Sequence, residues 1–175
     1  MQKIITTIIT LALALGLASS VQAKRGSDGQ LNLLYWQAPS TMNPNLSGGT
    51  KELEASSVVL EPLARYDEKG NMLAWLAEEI PTVENGGGSK DLTSITWKIK
   101  KGIKWSDGSA LTADDAVFTY EYCTNPDTGC TSTNYYKDIQ SVKAIGSNTV
   151  KIQFTVPKPF PYATFVGYNL SLIHI

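Results

Sequence analysis

Residue types that commonly carry out catalysis are scarce in this sequence. The single histidine, His174, lies beside the C-terminus, so no histidine in the body of the chain can complete a Ser-His-Asp or Cys-His arrangement. Asp114 and Asp115 form an adjacent acidic pair that would suit metal or acid–base chemistry. We interpret both as residues of the first turn of a helix, where the helix dipole favours carboxylates. Asp107 precedes Gly108 and is interpreted as a turn residue. The sequence therefore predicts no catalytic residue, no metal site and no cofactor, and hence a protein that is not an enzyme.

Two residues could form a covalent link, since Cys123 and Cys130 are the only cysteines. Between them lie Asn125-Pro126-Asp127 and Gly129, which are turn formers and allow the chain to fold back. This spacing favours a disulfide, which would stabilise the fold by about 2–3 kcal/mol. The alternative is two free thiols. A zinc site is a weaker interpretation, because two cysteines without histidine partners do not complete a ligand set.

Charge and composition restrict the class of protein. The chain has 175 residues, with 15 Lys and Arg against 16 Asp and Glu, which gives a formal net charge of −1. Proteins that track nucleic-acid phosphates need a clustered excess of basic residues, so we expect no nucleic-acid partner. The hydrophobic fraction of 42% argues against wholesale disorder. One short basic stretch is interpreted as the solvated face of a strand, and it contains Lys98, Lys100, Lys101 and Lys104.

The N-terminal residues have the layout of a secretory signal peptide. Lys3 provides a positive charge, residues 4–17 form an uncharged and mostly apolar run, and a cleavage-site pattern ends at Ala23. A membrane anchor is the alternative, but the apolar run is shorter than the ~20 residues that a spanning helix needs. We expect residues 1–23 to be removed, which leaves 152 residues. Export would also place the chain in an oxidising compartment, which permits disulfides.

The first half of the remaining chain predicts a strand, a loop, a helix and a second strand. Leu31–Trp36 is predicted as a buried strand, followed by a polar loop that contains Gly48-Gly49. Thr50 is predicted to cap a helix that runs from Lys51 toward Leu60. Residues 63–66 are predicted as a short strand. After a turn, the spacing of Leu73, Leu76, Ala77 and Ile80 predicts one face of a helix.

The second half predicts a strand, a capped helix and a hairpin. Alternation of Ile95, Trp97 and Ile99 with polar residues is typical of a half-buried strand. Thr112 with Asp115 three residues later is an acidic variant of the capping box, which predicts a helix with Ala113, Ala116, Val117 and Tyr120 on one face. Residues 142–156 alternate around a turn at residues 146–148, which predicts a hairpin.

Aromatic residues provide a modest indication of a binding site. The tryptophans at positions 75, 97 and 105 are each more typical of core than of ligand contact. Tyr35 and Trp36 alternate on the first predicted strand, so their side chains should face opposite sides. That strand leads into the Gly-rich loop, whose backbone groups would be free to bind a ligand. The loop is therefore the best binding-site candidate that these residues provide.

A long stretch of the sequence resembles a family signature. Ile95–Tyr120, with the sequence ITWKIKKGIKWSDGSALTADDAVFTY, combines a strand, a Lys-Gly turn, Trp-Ser-Asp-Gly, Leu-Thr-Ala-Asp-Asp and a helix. Shorter supporting matches are Met42-Asn-Pro44, Leu60-Glu-Pro-Leu63, Leu76-Ala77 and Thr149–Phe154. On these residues the chain resembles the extracellular solute-binding proteins of peptide and nickel ABC transporters, the oligopeptide/dipeptide-binding family. The matches extend from about Leu31 to Tyr168.

The resemblance implies a fold and a domain organisation. The implied fold class is mixed α/β (α+β), the N-terminal part of a two-lobed periplasmic-binding-protein type II fold, with mixed sheets and packed helices. Residues 24–50 would form the first strand and loop of lobe I, and residues 51–169 most of the inserted second domain. Family members are longer and continue into the second wall of the ligand cleft.

The resemblance also implies a function and a binding loop. The protein would be the periplasmic substrate-binding component of an ABC importer, a monomer that captures peptides or related solutes by hinge closure and delivers them to the membrane permease. Sugars, opines and nickel complexes remain alternative ligands. Relatives carry a similar Ser-Gly-Gly-Thr after the first strand, so ligand binding is implied for Ser47, Gly48, Gly49 and Thr50, with Tyr35 and Trp36 as neighbours. The alternative function is an exported enzyme or chaperone-like protein whose active residues lie in the C-terminal part.

The last residues depart from the family pattern. Residues 170–175, Leu-Ser-Leu-Ile-His-Ile, resemble a translated sequencing-adapter run, and under that interpretation His174 has no function. The alternative is that they begin a genuine strand.

Overall fold

A computed structural model describes residues 29–30, 32–167 and 171–174 of the chain. The chain divides into two compact units, residues 1–36 and residues 37–175, and each is described by itself. The predicted signal peptide, residues 1–23, lies outside the described residues. Within the described part of the chain, no helix combines the length and the apolar character needed to cross a bilayer.

The predicted strand at Leu31–Trp36 is wrong for the part that can be described. Residues 32–36 adopt no strand, and Leu33 and Leu34 are exposed rather than buried. A strand is held by hydrogen bonds to a neighbouring strand, and the described residues of the unit 1–36 contain no neighbour that could provide them. The apolar run therefore has no partner strand among the described residues of this unit.

Helix α1, Thr50–Ser56, begins one residue before the predicted start and ends before the predicted end. Gly49 is its N-cap, so the prediction that Thr50 caps the helix is wrong. The extension toward Leu60 is also wrong. The hydroxyls of Ser56 and Ser57 donate to the carbonyls of residues 53 and 54 at 3.0 and 2.7 Å. Such bonds within the last turn compete with continuation of the helix.

A short hairpin replaces the helix that was predicted over residues 73–80. Strand β1, Ala64–Tyr66, matches the predicted strand and pairs antiparallel with β2, Met72–Ala74. The cause lies in the turn, where the Asp67 carboxylate accepts from the backbone N–H of Lys69 and Asn71 at 2.9 and 2.7 Å. This turn directs residues 72–74 back along β1. The apolar spacing that resembled a helical face is therefore produced by a strand followed by a bend.

A three-stranded antiparallel sheet forms the centre of the unit 37–175. Strands β3, Ser94–Lys98, and β4, Ile139–Ala144, both pair with the central strand β5, Thr149–Phe154. Ile95 lies opposite Ile152, and Trp97 lies opposite Val150; all four are fully buried. The predicted alternation in β3 and the predicted late hairpin are confirmed.

Helix α2, Ala113–Thr124, packs against β4 and β5. The predicted capping box is confirmed, since the Thr112 N–H donates to the Asp115 carboxylate at 2.7 Å and the Thr112 hydroxyl accepts from the Asp114 N–H at 3.3 Å. The buried face of the helix includes Ala113 and Ala116. Val117 and Tyr120, which were predicted to share that face, are half-buried against the core.

The C-terminal end of α2 is joined to the following turn by a disulfide. Cys123 and Cys130 are linked, with their Cα atoms 5.1 Å apart. Between them, residues Pro126–Thr128 form a 3-10 turn, and Asn125 caps it by accepting from the Asp127 N–H at 3.0 Å. Cys123 is fully buried in the core. The disulfide therefore fastens the exposed turn to the buried helix.

We predict that Cys123→Ser with Cys130→Ser lowers the free energy of unfolding by about 2–3 kcal/mol, because the unfolded chain loses a short closed loop. Urea unfolding of the oxidised chain and the double variant measures the difference. Reduction of the unaltered chain should lower stability by a similar amount and leave the double variant unchanged. Equal stability of the oxidised and reduced chains would contradict the prediction.

Candidate functional site

The predicted binding loop, Ser47–Thr50, forms the start of helix α1. The Ser47 hydroxyl accepts from the Gly49 N–H at 3.1 Å, and the Gly49 carbonyl accepts from the N–H groups of Glu52 and Leu53, each at 3.1 Å. A Cβ atom at Gly49 would lie 2.6 Å from Glu52 Oε2, so a larger residue there would require the Glu52 carboxylate to shift. Gly48 is exposed, and a Cβ atom there would have no neighbour within 4 Å. The loop is thus tightly bonded at one side and open at Gly48.

A buried carboxylate fastens this loop to the preceding chain. Glu52 is 2% exposed, and its Oε1 accepts from the Ser40 N–H at 2.9 Å and pairs with Lys51 Nζ at 2.6 Å. The same ammonium group donates to the Ala38 carbonyl at 3.1 Å and the Ser40 hydroxyl at 3.0 Å. The hydrogen bond from Lys51, followed by that from Ser40, lowers the pKa of Glu52 to about 2. Residues 38–52 are therefore held together by the ion pair of Lys51 and Glu52.

The two aromatic residues predicted beside this loop belong to the other compact unit. Tyr35 is half-buried, and Trp36 is 72% exposed. The four loop residues are brought together by their own hydrogen bonds, as described above. Their role in ligand binding, like that of Tyr35 and Trp36, stays a prediction.

A cavity of about 570 Å³ opens on the unit 37–175, beyond the end of helix α1. Its lining is mainly apolar and aromatic, and it includes Met42, Val58, Val59, Leu60, Trp75 and Trp105. Met42, Val58 and Val59 are between 42% and 59% exposed, which is unusual for a cluster of large apolar side chains. The sequence analysis did not find this cavity, because it interpreted Trp75 and Trp105 as core residues. Both line the cavity, and Trp75 is 40% exposed.

Charged residues line the cavity beside the apolar ones. The Arg65 guanidinium lies over the Trp75 ring, 4.0 Å from its centroid, and the Trp75 indole N–H donates to Glu61 at 2.7 Å. Lys104 also lines the cavity and is exposed. None of the ion pairs formed by the described residues includes Arg65 or Lys104. The wall therefore carries two cations without carboxylate partners.

The acidic residues considered for chemistry have structural positions. Asp114 and Asp115 lie in the first turn of α2, as predicted. Asp107 accepts from the hydroxyl and N–H of Ser109 at 2.7 and 2.9 Å, and these bonds, followed by His174, lower its pKa to about 2. Among the described residues, no group of three or more His, Cys, Asp and Glu side chains is placed to hold a metal ion.

The described part of the C-terminal segment is packed against the fold. Leu172 is fully buried, and the His174 ring stacks on Trp105 with centroids 4.8 Å apart. His174 Nε2 lies 2.8 Å from the Ser109 hydroxyl and 3.1 Å from Asp107 Oδ2. The predicted origin of residues 170–175 as a non-native tail concerns the gene and stays a prediction.

Comparison with known proteins identifies the class to which this fold belongs. The model for bacterial extracellular solute-binding proteins, family 5 (middle part), matches residues 71–174, more than half of the chain. The chain belongs to this family, as its signature stretch had indicated. Family members bind solutes and are not enzymes.

The relatives include binding proteins of two bacteria. A probable ABC transporter-binding protein of Deinococcus radiodurans is 30% identical over 84% of this chain and 27% of its own length. The oligopeptide-binding protein OppA of Bacillus subtilis is 26% identical over 90% of this chain and 32% of its own length. The chain thus spans about a third or less of the curated relatives that it matches.

Solved structures show the same fold. The oligopeptide-binding protein AppA of Bacillus subtilis, in complex with a nonapeptide, matches 78% of this chain and 26% of its own with a TM-score of 0.68 and 25% identity. Haemophilus influenzae OppA, in complex with the peptide RPPGFSPFR, matches 78% of this chain and 29% of its own with a TM-score of 0.70 and 22% identity. The expected fold class, a mixed α/β fold that forms part of a two-lobed binding protein, is confirmed.

We predict that Glu52→Gln destabilises the chain at neutral pH and that the difference from the unaltered chain shrinks as pH falls from about 5 to about 2. The native pKa of Glu52 lies below its ordinary value of 4.5, so its contribution is present above that value and is lost as pH falls through the native value of about 2. Urea unfolding across this pH range measures the difference.

Glu54→Gln is the matched control, because Glu54 is exposed on the same helix and makes no described side-chain ion pair. It removes the same charge without the bonds to residues 40 and 51. Asp107 also has a lowered pKa, but it is present in both proteins and does not affect their difference. A Glu52→Gln effect that is constant across the whole pH range would be incompatible with the assigned bonds.

Proposed function

We propose that the protein is the substrate-binding component of an ABC importer and that it captures peptides in the periplasm as a monomer for delivery to a membrane permease. Membership of the family carries this proposal. Two relatives are named oligopeptide-binding proteins, and two solved structures with the same fold hold peptides. Peptides are therefore the ligand class best supported, ahead of sugars, opines and nickel complexes.

Capture by hinge closure needs two walls that contact the ligand from opposite sides. The chain corresponds to about a third or less of its relatives, so we assign it one part of the cleft only. The loop Ser47–Thr50 is our candidate for that part. Its Glu52 anchor would hold the backbone in place before ligand arrives, which lowers the entropy cost of ordering it on binding. Gly48 would provide the close approach between backbone and ligand.

We predict that the full-length protein encoded by the gene is stabilised by peptides, by about 2.7 kcal/mol at a peptide concentration of a hundred times Kd. A thermal-shift screen against nonapeptides, sugars and nickel–histidine measures this. The 152 residues that would remain after removal of residues 1–23 should by themselves show little or no shift, because they correspond to only about a third or less of the relatives. Turnover of any screened solute, without a shift by peptides, would refute the transport function.

We predict that Gly48→Leu in the full-length protein weakens peptide binding roughly tenfold or more, since a large side chain would occupy the space that a ligand approaches. Stability should change little, because the position is open. Gly48→Ala is the control of small volume and should bind nearly as well as the unaltered protein. Calorimetric titration with a nonapeptide measures both, and unchanged affinity of Gly48→Leu would remove this loop from the binding site.

A further inference from the structure

The cavity lined by Arg65, Trp75 and Trp105 has no assigned role. It lies wholly within the unit 37–175 and is separate from the Ser47–Thr50 loop, none of whose residues lines it. Its volume of about 570 Å³ is within the range of pockets that hold small ligands, roughly 300–1,000 Å³. A wall of apolar and aromatic groups with a few charged ones is also typical of such pockets.

The charges on the wall indicate the chemistry of a ligand. Arg65 and Lys104 are cationic, whereas Glu61 is the one carboxylate among the lining residues. Glu61 accepts the Trp75 indole N–H, and no ion pair joins it to either cation. The cavity therefore has an excess of positive charge. A bound anion could pair with either cation, because neither forms an ion pair with a carboxylate.

Arg65 is prepared for an anion by its surroundings. It is half-buried on strand β1, and its guanidinium carbon lies over the Trp75 ring, 4.0 Å from the ring centroid. A guanidinium beside an aromatic face keeps N–H groups that can form paired hydrogen bonds with a carboxylate. A partly desolvated guanidinium attracts an anion more strongly than an exposed one does. Arg65 is thus the best placed residue to receive an acidic group.

The remainder of the wall indicates what should accompany the acidic group. Met42, Val58 and Val59 expose apolar surface to the cavity region, and Trp75 is itself 40% exposed. Covering this surface would be favourable because apolar area is removed from water. We propose that the cavity is a binding site for a small apolar carboxylate, whose acidic group pairs with Arg65 and whose apolar body covers the exposed side chains. This site is independent of the proposed peptide-binding function.

The test compares 3-phenylpropionate with its uncharged amide, 3-phenylpropanamide, by isothermal titration calorimetry on the chain. We expect saturable binding of the acid and binding of the amide that is roughly tenfold weaker, because the amide cannot form the ion pair with Arg65. Equal affinity for the two probes would refute the proposal, as would the absence of saturable binding by the acid.

Variants identify the residue that is responsible. Arg65→Gln should weaken binding of the acid roughly tenfold while leaving the amide unaffected, and Arg65→Lys should give a smaller loss. Lys98→Gln is the control, because Lys98 is an exposed lysine of β3 that does not line this cavity. If Arg65→Gln fails to fold, as judged by its thermal unfolding, then Arg65→Lys and the acid–amide comparison still decide. An acid affinity that does not respond to either Arg65 variant would refute the assignment.

The same titration on the full-length protein distinguishes a ligand site from an internal interface. A ligand site should bind 3-phenylpropionate with similar affinity in both proteins. Binding by the chain that disappears in the full-length protein would mean that another part of the protein covers the cavity, and it would overturn the proposal. Because the titration uses no peptide, its failure leaves the proposed importer function unaffected, and failure of peptide binding leaves this site unaffected.

Discussion

The pairing of β5 with strands on both of its sides is the constraint on which the rest of the unit depends. Val150 and Ile152 on β5 are fully buried, whereas Lys151 between them is exposed. A slip of one residue in register would turn this lysine into the core, so the alternation specifies one pairing strongly. Ser147 lies in the turn between β4 and β5, and its carbonyl accepts from the Ala113 N–H at 2.8 Å. The register thereby also places the start of helix α2.

The sheet positions the cavity through its outer strand. The Glu78 N–H donates to the Lys98 carbonyl at 2.8 Å, and the Lys100 N–H donates to the Leu76 carbonyl at 2.9 Å. The Lys100 ammonium group also reaches the Trp75 carbonyl at 2.7 Å. These bonds hold the segment after β2 against the end of β3. These bonds consequently hold the backbone around Trp75 in place, although the Trp75 ring, which contacts Arg65, lies at the surface.

Sequence reasoning was successful where the signal was local. The capping box at Thr112 and the two-residue alternation of β3 and β5 each depend on a few neighbouring residues, and the structure has them where they were predicted. The segment at residues 73–80 was mistaken for a helix because its apolar spacing fits that period, whereas the decisive bonds are made by Asp67 in the preceding turn. A local pattern cannot reveal which of two compatible structures a neighbouring turn will select.

The candidate sites also differ in whether their residues are neighbours in the sequence. The Gly48-Gly49 loop could be proposed from sequence because its residues are consecutive and resemble those of a family. The importance of Glu52 to that loop could not, because its bond from the Ser40 N–H, and the bond of its partner Lys51 to the Ala38 carbonyl, form only in the folded chain. The cavity is harder still to predict, since Arg65, Trp75 and Trp105 come from separate segments and their relation appears only after folding. Contacts between residues that are far apart in the sequence produce no regular spacing from which they could be predicted.

The edges of the β structure have a consequence for the solubility of the chain. The Leu63 N–H donates to the Phe165 carbonyl at 2.8 Å, and Val166 forms a parallel bridge with Ala64, so the side of β1 away from β2 is already covered. The Gly87 carbonyl likewise accepts from the Thr96 N–H at 2.7 Å on the outer side of β3. On β4, the remaining outer strand of the central sheet, an irregularity in register lies between Ile139 and Ser141, and Lys143 is exposed. Covered, irregular and charged edges hinder the pairing of strands between molecules. These three edges are in this way protected against edge-to-edge aggregation at high concentration.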